Sequence, residues 1–152
     1  MFRGQHSISI DNKGRLAVPS RYRLHLSKQT TSQMVLTLSP FDRALWLYPL
    51  PEWEIIETKL SALSEFDKQS RRTRQMMRSA ATDCQLDSQG RILIPKDLRD
   101  YAELMKNIVV FGQGNKFEIW NESYWNEERQ SWLQSILEDE QEPAEALRTL
   151  SL

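Results

Sequence analysis

Cysteine occurs once, at Cys84, and histidine only twice, at His6 and His25. A lone thiol cannot close an internal disulfide, and two histidines far from it in sequence give no zinc-ligand spacing. A scaffold held by bridges or by a structural metal is therefore excluded, and a reducing cytoplasm is the expected setting. Glycine is also sparse, at Gly4, Gly14, Gly90, Gly112 and Gly114, spent at about one per turn. No glycine-rich phosphate loop, no nucleophile elbow and no His/Glu pair on one helical face can be assembled, which argues against catalysis and against a cofactor or small-molecule ligand. Long apolar runs are missing too. Nothing approaches the roughly 18 uninterrupted apolar residues of a membrane span, and the opening "MFRGQHSISIDNKGR" has no apolar secretory core. A soluble protein without membrane partners is expected, and at 152 residues with 39% hydrophobic content it can build a modest core.

Charge of one sign is not in excess, since 20 Lys and Arg stand against 21 Asp and Glu for a net charge of −1. The distribution is uneven, however, and local charge matters more than the total. Arg3, Lys13, Arg15, Arg21 and Arg23 crowd the N-terminus, and "KQSRRTRQMMRSA" carries Lys68, Arg71, Arg72, Arg74 and Arg78 without an acid. "LEDEQEPAE" near the C-terminus is acidic. The near-neutral sum conceals opposite surfaces.

What the chain has in abundance is self-similarity. "DNKGRLAVPSRYR" at Asp11–Arg23 returns as "DSQGRILIPKDLR" at Asp87–Arg99, an offset of 76. Asp11, Gly14, Arg15, Pro19 and Arg23 match Asp87, Gly90, Arg91, Pro95 and Arg99, while Ile10, Leu16 and Val18 match Leu86, Ile92 and Ile94. β-prone stretches ("HSISI", "TDCQL") precede each Asp, and "LAV" or "ILI" follows each Arg, so each Asp-to-Gly segment reads as a hairpin turn between strands. Gly14 and Gly90 are free to take positive φ, and the Asp11 and Asp87 side chains can bond the backbone nitrogens that follow; these four residues are assigned to shaping the turns. Pro19 and Pro95 end the strands, and short helices follow, with Ser20 a candidate N-cap.

The similarity continues. "MVLTL" and "ALWLYPLPEW" correspond to "NIVVF" and "KFEIWNESYW", placing Tyr48 against Trp120 and Trp53 against Trp125. Each half thus reads as hairpin, short helix, two strands and a longer helix, with a helical segment between the halves that breaks near Phe66 to Gln69. The expected divisions are a first half at 1–64, a basic helical connector at 65–80, a second half at 81–137 and an acidic tail at 138–152. Either half alone would be marginal, whereas interleaved halves could share one core. Trp46, Tyr48, Phe117 and Trp120 on strands and Trp53, Trp125 and Trp132 on helices are expected in the core, because no basic residues interleave with them as base stacking would require. Cys84 is expected to be a small buried hydrophobe, with a redox sensor as the alternative.

The turns also suggest a chemistry. A two-stranded ribbon enters the DNA major groove, where an arginine can bond guanine O6 and N7 together and a lysine neutralises phosphate. Lys13 and Arg15 would act so in the first half. In the second, Arg91 repeats the guanidinium, but Gln89 replaces the lysine with an amide, so the halves should contribute unequally. A local Asp–Arg ion pair that merely secures each turn is the competing role, and one guanidinium has donors enough for both. For Arg71, Arg72, Arg74 and Arg78 the preferred reading is a solvated or inter-subunit face, meeting acids such as Glu52, Glu54 and Glu57 of a neighbour.

The opening "MFRG", the paired "DNKGRLAVP" and "DSQGRILIP", and "LYPLPEWE" resemble the MraZ family of bacterial transcription regulators, in the wider AbrB-like group. The resemblance spans essentially the whole chain. It implies mixed β structure with short helices, specifically a double-split, swapped-hairpin β-barrel built from two pseudo-twofold repeats, and ring-shaped homo-oligomers. It also implies a nucleoid-associated regulator that binds double-stranded DNA at repeated boxes upstream of the division and cell wall gene cluster. Residue by residue, it assigns DNA contact to Lys13, Arg15, Gln89 and Arg91, with Arg3 at the flank. A ring scaffold for an acidic protein partner and an antitoxin-like repressor are the alternatives.

Overall fold

A computed structural model describes residues 1–28, 32–138 and 143–150. The first half runs β1 (Gln5–Ser9), β2 (Arg15–Ala17), α1 (Ser20–Lys28), β3 (Gln33–Leu38), β4 (Leu45–Pro49) and α2 (Leu50–Ser61). After α3 (Lys68–Ala80), the second half repeats the order as β5 (Thr82–Gln85), β6 (Arg91–Leu93), α4 (Lys96–Tyr101), β7 (Asn107–Gly112), β8 (Phe117–Asn121) and α5 (Glu122–Glu138). A short α6 (Glu145–Arg148) lies within the acidic tail, much of which falls outside the described residues.

Local chemistry explains most boundaries. Pro19 and Pro95 stop the preceding strands as expected, with Pro95 standing at the N-cap of α4. Ser20 is the first helical residue rather than a cap. Pro51 sits in the first turn of α2, where a missing amide hydrogen costs nothing. The helical segment between the halves breaks between Ser61 and Lys68, slightly earlier than the sequence suggested, because Asp67 caps α3 by accepting from the Ser70 amide at 2.8 Å.

The strands are antiparallel throughout. Six form one sheet in the order β1-β7-β8-β4-β3-β5, and β2 and β6 form a separate ribbon. Neither "hairpin" strand pairs with its sequence neighbour. β1 pairs with β7 of the second half (His6 opposite Val110), β5 with β3 of the first (Cys84 opposite Met34), and β2 with β6 (Leu16 opposite Ile92). The halves also meet at β4–β8, where Leu45 faces Ile119. They exchange their leading strands, so neither completes its sheet alone. No closed barrel forms in these ladders, since β1 and β5 remain as sheet edges.

Both faces of the sheet are covered. On one, residues from both halves form the main core, including Leu16, Ile92, Leu36, Leu45, Ile108, Val110, Phe117 and Ile119. On the other, α2 and α3 bury Val35, Tyr48, Trp53, Leu60 and Met77. Thr37, fully buried on β3, donates its hydroxyl to the Met77 carbonyl at 2.7 Å, satisfying one of the orphan acceptors at the end of α3. The aromatic correspondence holds in space: Tyr48 packs on Trp53 and Trp120 on Trp125, with ring centroids 5.6 and 5.1 Å apart.

Candidate nucleic-acid interface

Two turns with the same internal bonding flank the ribbon. In the first, Asp11 Oδ1 accepts the amides of Lys13 and Arg15, both at 2.9 Å, and Oδ2 accepts Arg15 Nε at 2.7 Å. In the second, Asp87 Oδ1 accepts the amides of Gln89 and Arg91 at 2.9 and 2.8 Å, and Oδ2 accepts Arg91 Nε at 2.9 Å. The local ion pair weighed from the sequence thus exists in both copies. It uses only the Nε edge of each guanidinium, and among the described residues the terminal nitrogens of Arg15 and Arg91 make no hydrogen bond.

The Arg15 backbone amide, the Arg15 guanidinium and the Lys13 amide hold the Asp11 carboxyl down to about 2, and the matching groups of the second turn lower Asp87. A carboxyl whose folded value is depressed stabilises the turn above its ordinary pKa of about 4 and loses that contribution as pH falls. For Asp11 the loss runs from about 4 down through about 2. The turn is therefore locked throughout the neutral range. An NMR titration following the Lys13 and Arg15 amides should find the Asp11 transition near pH 2; a midpoint at the ordinary value would disprove the lock.

The ribbon sorts its side chains by alternation. Leu16 and Ile92 face the core, about 1% exposed each, while Arg15, Ala17, Arg91 and Leu93 share the outer face. Arg15 stands opposite Leu93 and Arg91 opposite Ala17, a diagonal pair whose backbones lie about 7–8 Å apart. Lys13 and Gln89 sit in the turns beside them. The sequence suggested a hairpin presenting its own arginine; instead the ribbon takes one strand from each half, and so carries both arginines on one surface.

Each turn is held by the opposite half. Gly14 and Gly90 have φ of +84° and +73°. A Cβ on Gly14 would lie 2.8 Å from Cζ of Arg99 on α4, and one on Gly90 would lie 2.8 Å from Nη1 of Arg23 on α1. Arg23 Nη1 donates to the Gln89 carbonyl at 3.0 Å. Two backbone bonds reinforce this exchange, Val18 N to Gly90 O and Ile94 N to Gly14 O, each at 2.9 Å. Sequence reasoning paired Arg23 with Arg99 but assigned them no role. The available signal was their identity at the same offset as the turn residues. Gly90→Ala combines a left-handed backbone with the Arg23 clash, so it should destabilise by about 1–3 kcal/mol in denaturant unfolding; an unchanged midpoint would contradict this packing.

The duplication has a counterpart among known proteins. The sequence model of the MraZ protein family matches residues 1–76 and again residues 77–147. The chain belongs to the MraZ family. Among its relatives, a "Transcriptional regulator MraZ" from Thioalkalivibrio sulfidiphilus is 47% identical over 153 residues, covering 100% of both chains. One of the same name from Methylococcus capsulatus is 50% identical over 134 residues, 88% of each, and one from Serratia proteamaculans 44% identical over 152 residues, 100% of each.

Other positions of this MraZ chain fall outside the ribbon face. Arg3 lies beyond the far end of β1 from the first turn, six positions before Ser9, a span of at most about 20 Å. Its carbonyl accepts from the Tyr22 hydroxyl, which ties the N-terminus to α1. The basic helix α3 is engaged within its own chain. Arg71 donates to the Glu65 carbonyl at 2.8 Å, Arg74 to the Leu63 carbonyl and the Glu65 carboxylate at 3.1 Å each, and Arg78 to Ser61 Oγ. These three arginines fasten the α2–α3 connection within their own chain. Arg72, off that face, bonds Gln75 at 3.3 Å and no other described residue.

No group of His, Cys, Asp and Glu suited to a metal occurs among the described residues, and no helix there is long and apolar enough to cross a membrane. Cys84 is half-buried, and burial pushes its thiol up to about 11. At neutral pH it stays protonated, unlike a reactive thiolate. Trp53 and Trp120 are buried, whereas Trp132 is 42% exposed.

Proposed function

We propose that this chain is a sequence-specific, double-stranded-DNA-binding transcription regulator that reads the major groove with the β2–β6 ribbon. The observation that carries this reading is the pairing of Arg15 and Arg91 on one outer face, each fixed at Nε and each presenting its terminal nitrogens. A two-stranded ribbon fits the major groove, and bidentate arginine–guanine contacts are its commonest specific interaction. Lys13 and Gln89 would meet phosphate or base edges beside them, and Arg3, at the distant end of β1, a separate stretch of backbone. The relatives are named transcriptional regulators, which accords with a binding protein rather than an enzyme and needs no cofactor.

The sites we assign, from the family resemblance, are direct-repeat boxes upstream of the division and cell wall gene cluster, the chain's own operon included, and the location is the nucleoid. We read the chain as halves at 1–64 and 81–137 joined by a basic connector at 65–80, with an acidic tail at 138–152. We read the exchanged strands as the family's double-split arrangement, here an open sheet with edges at β1 and β5 and the ribbon as its outer wall. Ring assembly is supported by apolar surface left open at two places. On α5, Trp132, Leu133, Ile136 and Leu137 are exposed, and beside β4 exposed Phe41 and half-buried Trp46 border a groove floored by buried Tyr48, Leu60 and Met77. Two different patches on one chain associate head to tail, which closes a ring or extends a filament. Equivalent ribbons in a ring face the same way, suiting direct repeats, and several contacts made at once would add avidity.

The test is fluorescence anisotropy with a duplex from the chain's own upstream region and a scrambled duplex across a salt series, with light scattering for assembly size. Preference for the first duplex and a steep fall with salt are expected, because log K drops by about 0.9 per decade of salt for each phosphate neutralised. Equal affinity for both duplexes would refute the regulator and favour a scaffold for an acidic protein.

A further inference from the structure

Arg23 and Arg99 have no part in the outer face, yet each reaches from the helix of one half to the turn of the other. We infer that they are positioning residues that lock the two turns into a single reading unit, an inference that rests on the ribbon being the DNA-facing surface.

The argument begins with what each guanidinium touches. Arg23 lies against Gly90, with its Cδ nearest and Nη1 and Nε behind it, and donates Nη1 to the Gln89 carbonyl at 3.0 Å. Arg99 lies against Gly14, with its Cζ, Nε and Nη1 2.8–3.0 Å from where a Cβ would stand. Both Nε atoms are buried without a hydrogen-bond partner. A guanidinium used for phosphate would extend those donors to solvent; here both Nε atoms are buried against the glycine of the opposite turn. Only a residue without a side chain leaves that space, which gives Gly14 and Gly90 a second reason to be glycine besides positive φ.

Each turn is therefore held from two directions. Its own aspartate shapes it, while the opposite half sets its position through one arginine and one backbone bond, Ile94 N to Gly14 O or Val18 N to Gly90 O. Groove recognition needs this, because two guanidinia must meet base edges together, and ordering loose turns on binding would subtract from affinity. The strand exchange makes the effect crossed. Loss of Arg99 should loosen the first turn, and loss of Arg23 the second.

Crossing provides a readout that general destabilisation would not imitate. Hydrogen exchange of the free protein should show faster exchange at Lys13 and Arg15 in Arg99→Lys, with Gln89 and Arg91 unchanged, and the reverse in Arg23→Lys. In the anisotropy assay each variant should lose about tenfold in affinity for the specific duplex and change little on the scrambled one, with an unaltered salt slope. Lysine is chosen because it keeps the charge and most of the stem but lacks the planar fork, so it restores a phosphate contact but not the guanidinium's packing on the opposite turn. Full specific affinity in the lysine variants, or exchange unchanged in the opposite turn, would overturn the inference. Should the wild type fail to distinguish the duplexes, the DNA reading falls, and the crossed exchange pattern still decides the brace by itself.

Discussion

Arg15→Ala is expected to reduce affinity for the specific duplex by roughly 5- to 150-fold for each reading site while leaving assembly size unchanged. One bidentate arginine–base pair discriminates by about 1–3 kcal/mol, which corresponds to that range. Arg15 is only partly buried, and its ion pair with Asp11 is a surface contact, so the change should cost little folding stability. In a ring that uses several ribbons at once the loss would multiply across sites. Arg91→Ala should weaken binding less if the first turn dominates, since Gln89 stands where the first turn has Lys13. Because Arg15 and Arg91 share one face, the double variant should depart from the sum of the singles. Anisotropy titrations at matched salt measure this. Specific affinity unchanged in Arg15→Ala would remove the ribbon from the interface and make the outward Arg72 on α3 the next candidate.

The largest expected effect on stability is at Phe117. It lies on β8 with no exposed surface, opposite Leu47 of the first half and Gly112 of the second. Its ring meets Phe2 at 4.2 Å and Tyr22 at 4.9 Å between centroids, so it joins the N-terminal segment, α1 and the sheet. Phe117→Ala removes this contact and leaves a cavity, costing about 3–5 kcal/mol. For a chain of this size that lowers Tm by about 6–20 °C. Circular dichroism melts should show the drop. A shift below about 3 °C would mean that the site collapses or that the halves do not depend on a shared core.

The two predictions probe different kinds of information in the chain. Arg15, Arg91 and the aspartates that orient them were legible in the sequence, because an Asx-type turn is closed by bonds between residues two and four apart. The same holds for the glycines, whose positive φ is a local demand, and for Pro19 and Pro95 as strand stops. The strand character of the ribbon followed from the β-prone "LAV" and "ILI" after each arginine. The outward face, and with it the two neighbouring arginines, did not, because three-residue strands carry no label for their partners.

Partner choice was decided by tertiary structure. A turn bounded by two β-prone runs reads as a hairpin, yet β1 joins β7 and β2 joins β6, since the shared core is completed only when each half covers the other. That exchange brings Arg23 to Gly90 and Arg99 to Gly14 across 67 and 85 positions of chain, a proximity no periodicity can reveal. It likewise folds α3 back on α2, so that Arg71, Arg74 and Arg78 secure a connection instead of forming a free basic face. The sequence by itself determined the repeated unit, the shape of its turns and the residue types they present, because those depend on dihedral preference and hydrogen bonds within a few residues. Tertiary structure alone decided which strands pair, which arginines share the outer face and which pack against the opposite turn, because burial of a common core outweighs the local preference of each hairpin to close on itself.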